Sequence, residues 1–251
     1  MAPRWCEVCS VPVVGRARTC SARCRQRLSR WPRSRLIEAR WGVPASDLWR
    51  TPPWLVEAVR LLLADDGLDL SLDACAFPED SVAPRWISPE DNGLIVSWVE
   101  RAEGGVTWWN PPYSSPMPWA LKAVSELRLG AASVALVPAC TGARWWAELV
   151  NPAARISLLR GRVAFLHPDT GRAVSGTRFD SALVWLGCRP LAARVEVIEL
   201  SDLRRAGERA LSLRRSPAIG AGVPPMFPEI TTKLNTSEIT GAYPRLGDGG
   251  G

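Results

Sequence analysis

The tetrapeptide Asn110-Pro111-Pro112-Tyr113 carries the most chemistry in this 251-residue chain. Two acceptors stand side by side in it, the Asn110 side-chain carbonyl and the Pro111 backbone carbonyl. Each could take one hydrogen of an aromatic amino group such as adenine N6. The lone pair of such a group is delocalised into the ring, so the amine is a poor nucleophile. Acceptors on both hydrogens bias the nitrogen toward pyramidal geometry and free the lone pair to attack a methyl group in line. Consecutive prolines fix φ and hold the acceptors in place before the reaction. Tyr113 offers a flat face to an extruded base, an interaction worth about 1–3 kcal/mol per base that offsets part of the cost of flipping it. Asn-Pro is also a common turn dipeptide. Its position here, directly after an apolar strand and before a capped helix, raises it above an ordinary turn.

A second constellation is Leu70-Ser71-Leu72-Asp73-Ala74-Cys75-Ala76, a strand ending in a carboxylate followed by small residues. Ligands of open α/β sheets bind beyond the carboxyl ends of the strands, and small residues let a ligand approach the backbone. Asp73 could hold a cationic amino group; the plain alternative is an acidic residue at a strand end. A third is the cluster Cys6-x-x-Cys9 and Cys20-x-x-x-Cys24. Four thiolates in two close pairs suit tetrahedral Zn²⁺, the second pair opening a helix where positions i and i+4 share a face. Two disulfides are the alternative, disfavoured in a cytoplasmic chain. The single histidine, His167, lies in the turn His167-Pro168-Asp169-Thr170-Gly171 and reads as a loop residue.

The elements that must position these groups alternate. Thr51 can cap a helix that opens with Pro52 and Pro53, carries Leu55, Val59, Leu62 and Leu63, and stops at Gly67. Leu68, Leu70 and Leu72 predict one face of a strand running into Asp73. A short strand over Gly105–Trp109 delivers the tetrapeptide, and Ser115-Pro116 opens a second helix closed by Gly130. Ala132–Ala139 is an apolar run of buried-strand type, Ala143–Val150 looks helical, and strands are predicted over Arg155–Leu159, Arg162–Phe165, Phe179–Leu186 and Val195–Leu200. The pattern predicts an α/β sheet covered on both faces. Three segments follow: a basic four-cysteine module over 1–40, a main domain over 41–214, and a tail over 215–251 expected to be disordered because Pro, Gly, Ser and Thr replace periodicity.

Residues 1–40 hold ten arginines against Glu7 and Glu38, a local charge of +8 in a chain whose net charge is +6, so the remainder is mildly acidic at −2. A basic end on such a body predicts attraction to polyanions, and Arg23, Arg25, Arg27, Arg30, Arg33 and Arg35 are the arginines placed for phosphate contact. No apolar run reaches the roughly 18 residues of a membrane span, and no secretory signal opens the chain. The chain is therefore expected to be cytoplasmic, with a polyanion as partner and no membrane; its oligomeric state is not readable.

Taken together, the motifs resemble the phage-type DNA N6-adenine (Dam) methyltransferase family. The matching elements are Trp49-Arg50-Thr51-Pro52, Leu72-Asp73-Ala74-Cys75-Ala76, Asp91-Asn92-Gly93-Leu94 with Trp98, Asn110-Pro111-Pro112-Tyr113-Ser114, Trp119, Lys122-Ala123, and Leu136-Val137-Pro138-Ala139 with Thr141 and Trp145. The resemblance covers roughly residues 49 to 187. It implies a Rossmann-like fold and transfer of a methyl group from S-adenosylmethionine to adenine N6 in DNA. It further implies a cofactor pocket around Thr51, Pro52, Asp73, Ala74, Cys75 and Asn110, catalysis by Asn110, Pro111, Pro112 and Tyr113, and a setting in phage DNA modification or restriction-modification. The departure is Ala76-Phe77-Pro78, where many methyltransferases carry a glycine-rich loop. Only 37 residues separate Asp73 from Asn110, so target recognition must come from loops after Val150, from the N-terminal module, or from both. Two alternatives stand beside this reading: the same amino-group chemistry on cytosine N4, RNA or protein glutamine, and a non-catalytic, zinc-dependent nucleic-acid-binding protein.

Overall fold

A computed structural model describes residues 4–5, 12–13, 20–30, 44–174, 179–188 and 194–215, all within one unit, Met1–Arg215. Cys6, Cys9, Arg33, Arg35 and the tail beyond Arg215 lie outside the described residues. A two-stranded pair, β1 (Arg4–Trp5) and β2 (Pro12–Val13), precedes α1 (Ala22–Arg30). Then come a 3₁₀ turn (Ala45–Leu48), α2 (Pro53–Ala64), β3 (Leu70–Asp73), β4 (Arg85–Trp86), α3 (Trp98–Ala102), β5 (Val106–Trp109), α4 (Pro116–Arg128) and β6 (Ser133–Pro138). The chain continues through α5 (Arg144–Val150), β7 (Arg155–Arg160), β8 (Ser181–Leu186), β9 (Val195–Glu199) and α6 (Leu200–Arg215).

The seven main strands form one sheet in the order β4-β3-β5-β6-β8-β7-β9. Every adjacent pair is parallel except the two made by β8, which runs antiparallel to both β6 and β7. From β3 the chain steps outward to β4 and then crosses back to β5 on the other side. The strand order therefore reverses at β3 and β5, where a crevice opens beyond the carboxyl ends.

Helices cover both faces, as the alternation predicts. On one face Leu55, Val59 and Leu63 of α2 and Leu203 of α6 pack on Val106, Trp108, Val134, Leu136, Leu183 and Trp185. On the other, Trp98, Ala120, Ala123, Trp146 and Leu149 pack on Trp109, Ala135, Val137, Ala182 and Val184. α2 and α6 approach closely because residue 207 is glycine: a Cβ there would sit 1.8 Å from the Trp54 carbonyl oxygen.

Three expectations are corrected. Leu70 and Leu72 do not share a face: Leu70 joins the first core and Leu72 the second, because the β3–β5 register shifts between them. A one-residue slip exchanges the faces of everything after it. Arg162–Phe165 is not a strand; Leu166 instead makes isolated antiparallel bridges to Arg50 and Ala173. Thr51 does not cap α2, whose N-cap is Pro52 without a side-chain bond. The helix α6 is additional to the sequence reading, as are β4 and α3.

Candidate active site

Asn110 follows β5 directly, and its amide is held from two sides. Its Nδ2 donates to Thr51 Oγ1 at 3.3 Å, and its Oδ1 accepts from the Tyr113 hydroxyl at 2.8 Å. The amide nitrogen thus faces Thr51 and its oxygen faces Tyr113. The hydroxyl of Thr51, not spent on the helix cap, is free to accept this bond.

Tyr113 is packed more deeply than a stacking platform requires. Its ring meets Phe165 and Phe179 edge-on, with centroids 6.0 and 5.2 Å apart, and its hydroxyl lies 3.1 Å from the Leu136 carbonyl as well as near Asn110. Burial, with the charge of Asp47 second, pushes its pKa well above the usual phenol value, so the hydroxyl stays a donor.

Asp73 ends β3 and is only 4% exposed. Its Oδ1 accepts from the Cys75 N–H and its Oδ2 from the Val82 N–H, both at 3.1 Å, so the carboxyl organises the loop that walls the crevice. Burial raises its pKa from 3.8 to about 7 despite those two bonds, and Asp80 adds to the rise. Burial and the neighbouring Asp73 also push the Cys75 thiol up, leaving it unsuited to act as a nucleophile. Across the same crevice Arg50 Nε lies 3.1 Å from Asp80 Oδ2.

Three clefts meet here. The largest, about 510 Å³, is lined by Ala74, Cys75, Phe77, Ile87, Leu94 and Trp119 among others, a size suited to a small-molecule ligand. Gly93 lets its far wall close: a Cβ there would sit 2.4 Å from the Ala74 carbonyl oxygen and 2.8 Å from Trp119. That wall is braced by Trp98, whose indole donates to the Gly93 carbonyl at 2.8 Å, while the buried Glu126 accepts from the Trp98 and Val99 N–H groups. A second cleft holds Arg50, Thr51, Asp73, Asp80 and Pro168; a third, smaller and aromatic, holds Trp49, Pro111, Tyr113 and Phe165. Asp47 and Asn110 are the two residues that line all three. Asp47 was missed in the sequence, where nothing in a Ser-Asp turn distinguishes it.

The site residues expected from the sequence are thus brought together in part. Thr51, Asp73, Cys75 and Asn110 share one cleft, Ala74 and Pro112 line the largest, and Pro111 and Tyr113 line the aromatic one. Pro52 is buried at the start of α2 and lines none of the three. Of the four cysteines, Cys20 and Cys24 are described, their sulfurs 3.7 Å apart. No group of three or more metal-binding side chains occurs among the described residues.

The family model described as DNA N-6-adenine-methyltransferase (Dam) matches residues 39–210. The chain belongs to that family. Among curated relatives, the DNA N-6-adenine-methyltransferase of Haemophilus phage HP1 is 29% identical over 140 residues, covering 55% of this chain and 77% of the relative. The enzyme of the same description from Escherichia phage T1 is 30% identical over 152 residues, covering 55% of this chain and 61% of the relative. No solved structure matches the chain significantly. This Dam-family chain is an adenine-specific DNA methyltransferase, and the family implies S-adenosylmethionine as methyl donor. Its architecture, a mostly parallel sheet covered by helices, is compatible with a methyltransferase fold. Among the described residues no helix is long and apolar enough to cross a membrane.

Proposed function

We propose that the crevice beyond β3 and β5 is the catalytic site of adenine N6 methylation in a Rossmann-like fold, with Asn110 acting on the amino group. The observation that carries this is the placement of Asn110 where the cofactor-sized cleft, the carboxylate-lined cleft and the aromatic cleft meet. The residues fit S-adenosylmethionine: apolar walls from Ile87, Leu94 and Trp119 suit the adenine ring, and the carboxylate of Asp73 suits the cationic amino group. When bound it supplies an electrophilic methyl group on a sulfonium.

The chain's own part is positioning. Asn110 Oδ1 and the Pro111 carbonyl accept the two N6 hydrogens and hold the lone pair out of the ring plane. Thr51 and Tyr113 hold the Asn110 amide from its two ends. Trp49, Tyr113 and Phe165 form the aromatic wall for the extruded base. The hairpin around the Leu166–Ala173 bridge stands beside this wall, its tip ordered by the His167 N–H donating to the Arg172 carbonyl at 2.9 Å. Exposed Arg172 at that tip is placed to contact a DNA phosphate.

Asn110→Ala tests the assignment. Methyl transfer in a single turnover is expected to fall by orders of magnitude while the affinity for S-adenosylmethionine changes only a few-fold, since Asn110 acts in the transition state. Comparable rates in the variant would sink the mechanism.

A structural Zn²⁺ held by Cys6, Cys9, Cys20 and Cys24 is a second part of the reading. Four thiolates about 2.3 Å from a tetrahedral zinc stand about 3.8 Å from one another, and the Cys20–Cys24 separation of 3.7 Å fits that spacing rather than a disulfide. Ser21 prepares the pair by accepting from the Cys24 N–H at 3.2 Å, which caps α1.

A further inference from the structure

Methylating an amino group leaves a proton to be disposed of, and the residues assigned to hold the amine cannot take it. An amide and a peptide carbonyl accept hydrogen bonds but do not keep a proton near neutral pH. We propose that Asp47 is the carboxylate that balances the charge developing on the target nitrogen and accepts its proton. The proposal rests on the reading of Asn110 above and adds a catalytic residue to it.

Three observations carry it. Asp47 shares all three clefts with Asn110, and it is the one carboxylate among the described residues lining either the aromatic cleft or the largest one. It is also tied to the catalytic turn: its Oδ1 accepts from the Ser114 N–H at 3.3 Å and its Oδ2 from the Ser114 hydroxyl. The other carboxylates near the site, Asp73 and Asp80, line only the cleft that holds Arg50 and Thr51.

In the step itself, the N6 lone pair forms a bond to the methyl carbon while the carbon–sulfur bond breaks and its electrons stay on sulfur. The nitrogen then carries the methyl group, two hydrogens and a positive charge. One N–H bond gives its electrons back to nitrogen and its proton to an Asp47 oxygen, which passes it to solvent after product release. No other reactant is required.

Asp47→Asn tests this, because asparagine keeps an acceptor oxygen for Ser114 but has neither the charge nor the basicity. Single-turnover methyl transfer to a DNA duplex is expected to fall roughly 100-fold, the scale of general-base catalysis. Dissociation constants for S-adenosylmethionine and DNA should stay within about threefold, with an unchanged melting temperature. A variant rate within about twofold of wild type overturns the proposal. So does a variant whose defect is wholly in cofactor affinity, which would give Asp47 to the methionine amino group. If instead Asn110→Ala keeps full activity, it is the site assignment that fails, whatever Asp47 does.

Discussion

The Tyr113 hydroxyl donates to Asn110 Oδ1 at 2.8 Å, and so occupies the very oxygen that the amino group of the substrate needs. A carbonyl oxygen has two lone pairs, and the Leu136 carbonyl 3.1 Å away offers the hydroxyl a second acceptor. Tyr113 therefore orients the amide in addition to walling the base pocket. Read from the sequence alone, Tyr113→Phe should be mild, since stacking needs only the ring. With this hydrogen bond in place, a rate loss of about tenfold, near 1.4 kcal/mol in the transition state, is expected with little change in DNA affinity. Tyr113→Ala should lower both. Single-turnover rates and DNA binding, measured separately, distinguish the two variants; a Phe variant at wild-type speed would return Tyr113 to a purely aromatic role.

Thr51 holds the opposite end of the same amide. Thr51→Val removes the acceptor for Asn110 Nδ2 at nearly constant volume, leaving a half-buried N–H without its partner. Turnover is expected to fall about tenfold, and Thr51→Ser to restore most of it. If Thr51 served only the cofactor, the valine variant would weaken S-adenosylmethionine binding and leave the saturated rate intact.

How far the site could be read in advance depended on distance along the chain. Asn110 to Tyr113 and the strand before them are contiguous, so their chemistry was visible in four letters. The walls of the largest cleft, Ile87, Leu94 and Trp119, come together only once β4, the 91–94 turn and α4 are folded, and no local pattern announces them. The slip in β3 was hidden because Leu70 and Leu72 alternate as though the strand were regular. The helix α6 did leave a signal: Leu203, Gly207 and Ala210 are buried at helical spacing, and it was lost among the arginines around them.

Asp73 makes stability depend on pH in an unusual direction for a carboxylate. Its folded pKa of about 7 lies above the unfolded value of 3.8, so between these values the folded state keeps a proton that the unfolded chain has released. Its contribution is fully present below about pH 4 and lost as pH rises through about 7. The cofactor-free melting temperature should carry a falling component over that window, and Asp73→Asn should flatten it. If the cationic amino group of S-adenosylmethionine sits against Asp73, binding favours the carboxylate and releases protons near about pH 6. Calorimetry in two buffers of different ionisation heat measures that release; proton uptake would place the amino group elsewhere.

The N-terminal cysteines make the last prediction, in which metal and DNA binding are separable. One zinc on Cys6, Cys9, Cys20 and Cys24 requires about one metal equivalent in the purified protein, lost on Cys24→Ser. A segment this short has too little apolar surface to fold unaided, so chelation should abolish its structure while the largest cleft, built from residues 47–119, still binds S-adenosylmethionine. The ten arginines of residues 1–40 give the second arm. If they contact phosphates, deleting 1–40 weakens DNA binding and flattens its dependence on salt, because fewer counterions are released. The Michaelis constant for DNA then rises more than turnover falls, since Asn110, Tyr113 and Asp47 are retained. A metal-free native protein would refute the zinc assignment. An unchanged salt slope after truncation would remove the module from the DNA interface and leave phosphate contact to the main domain, where Arg172 on the 165–174 hairpin is the next arginine to substitute.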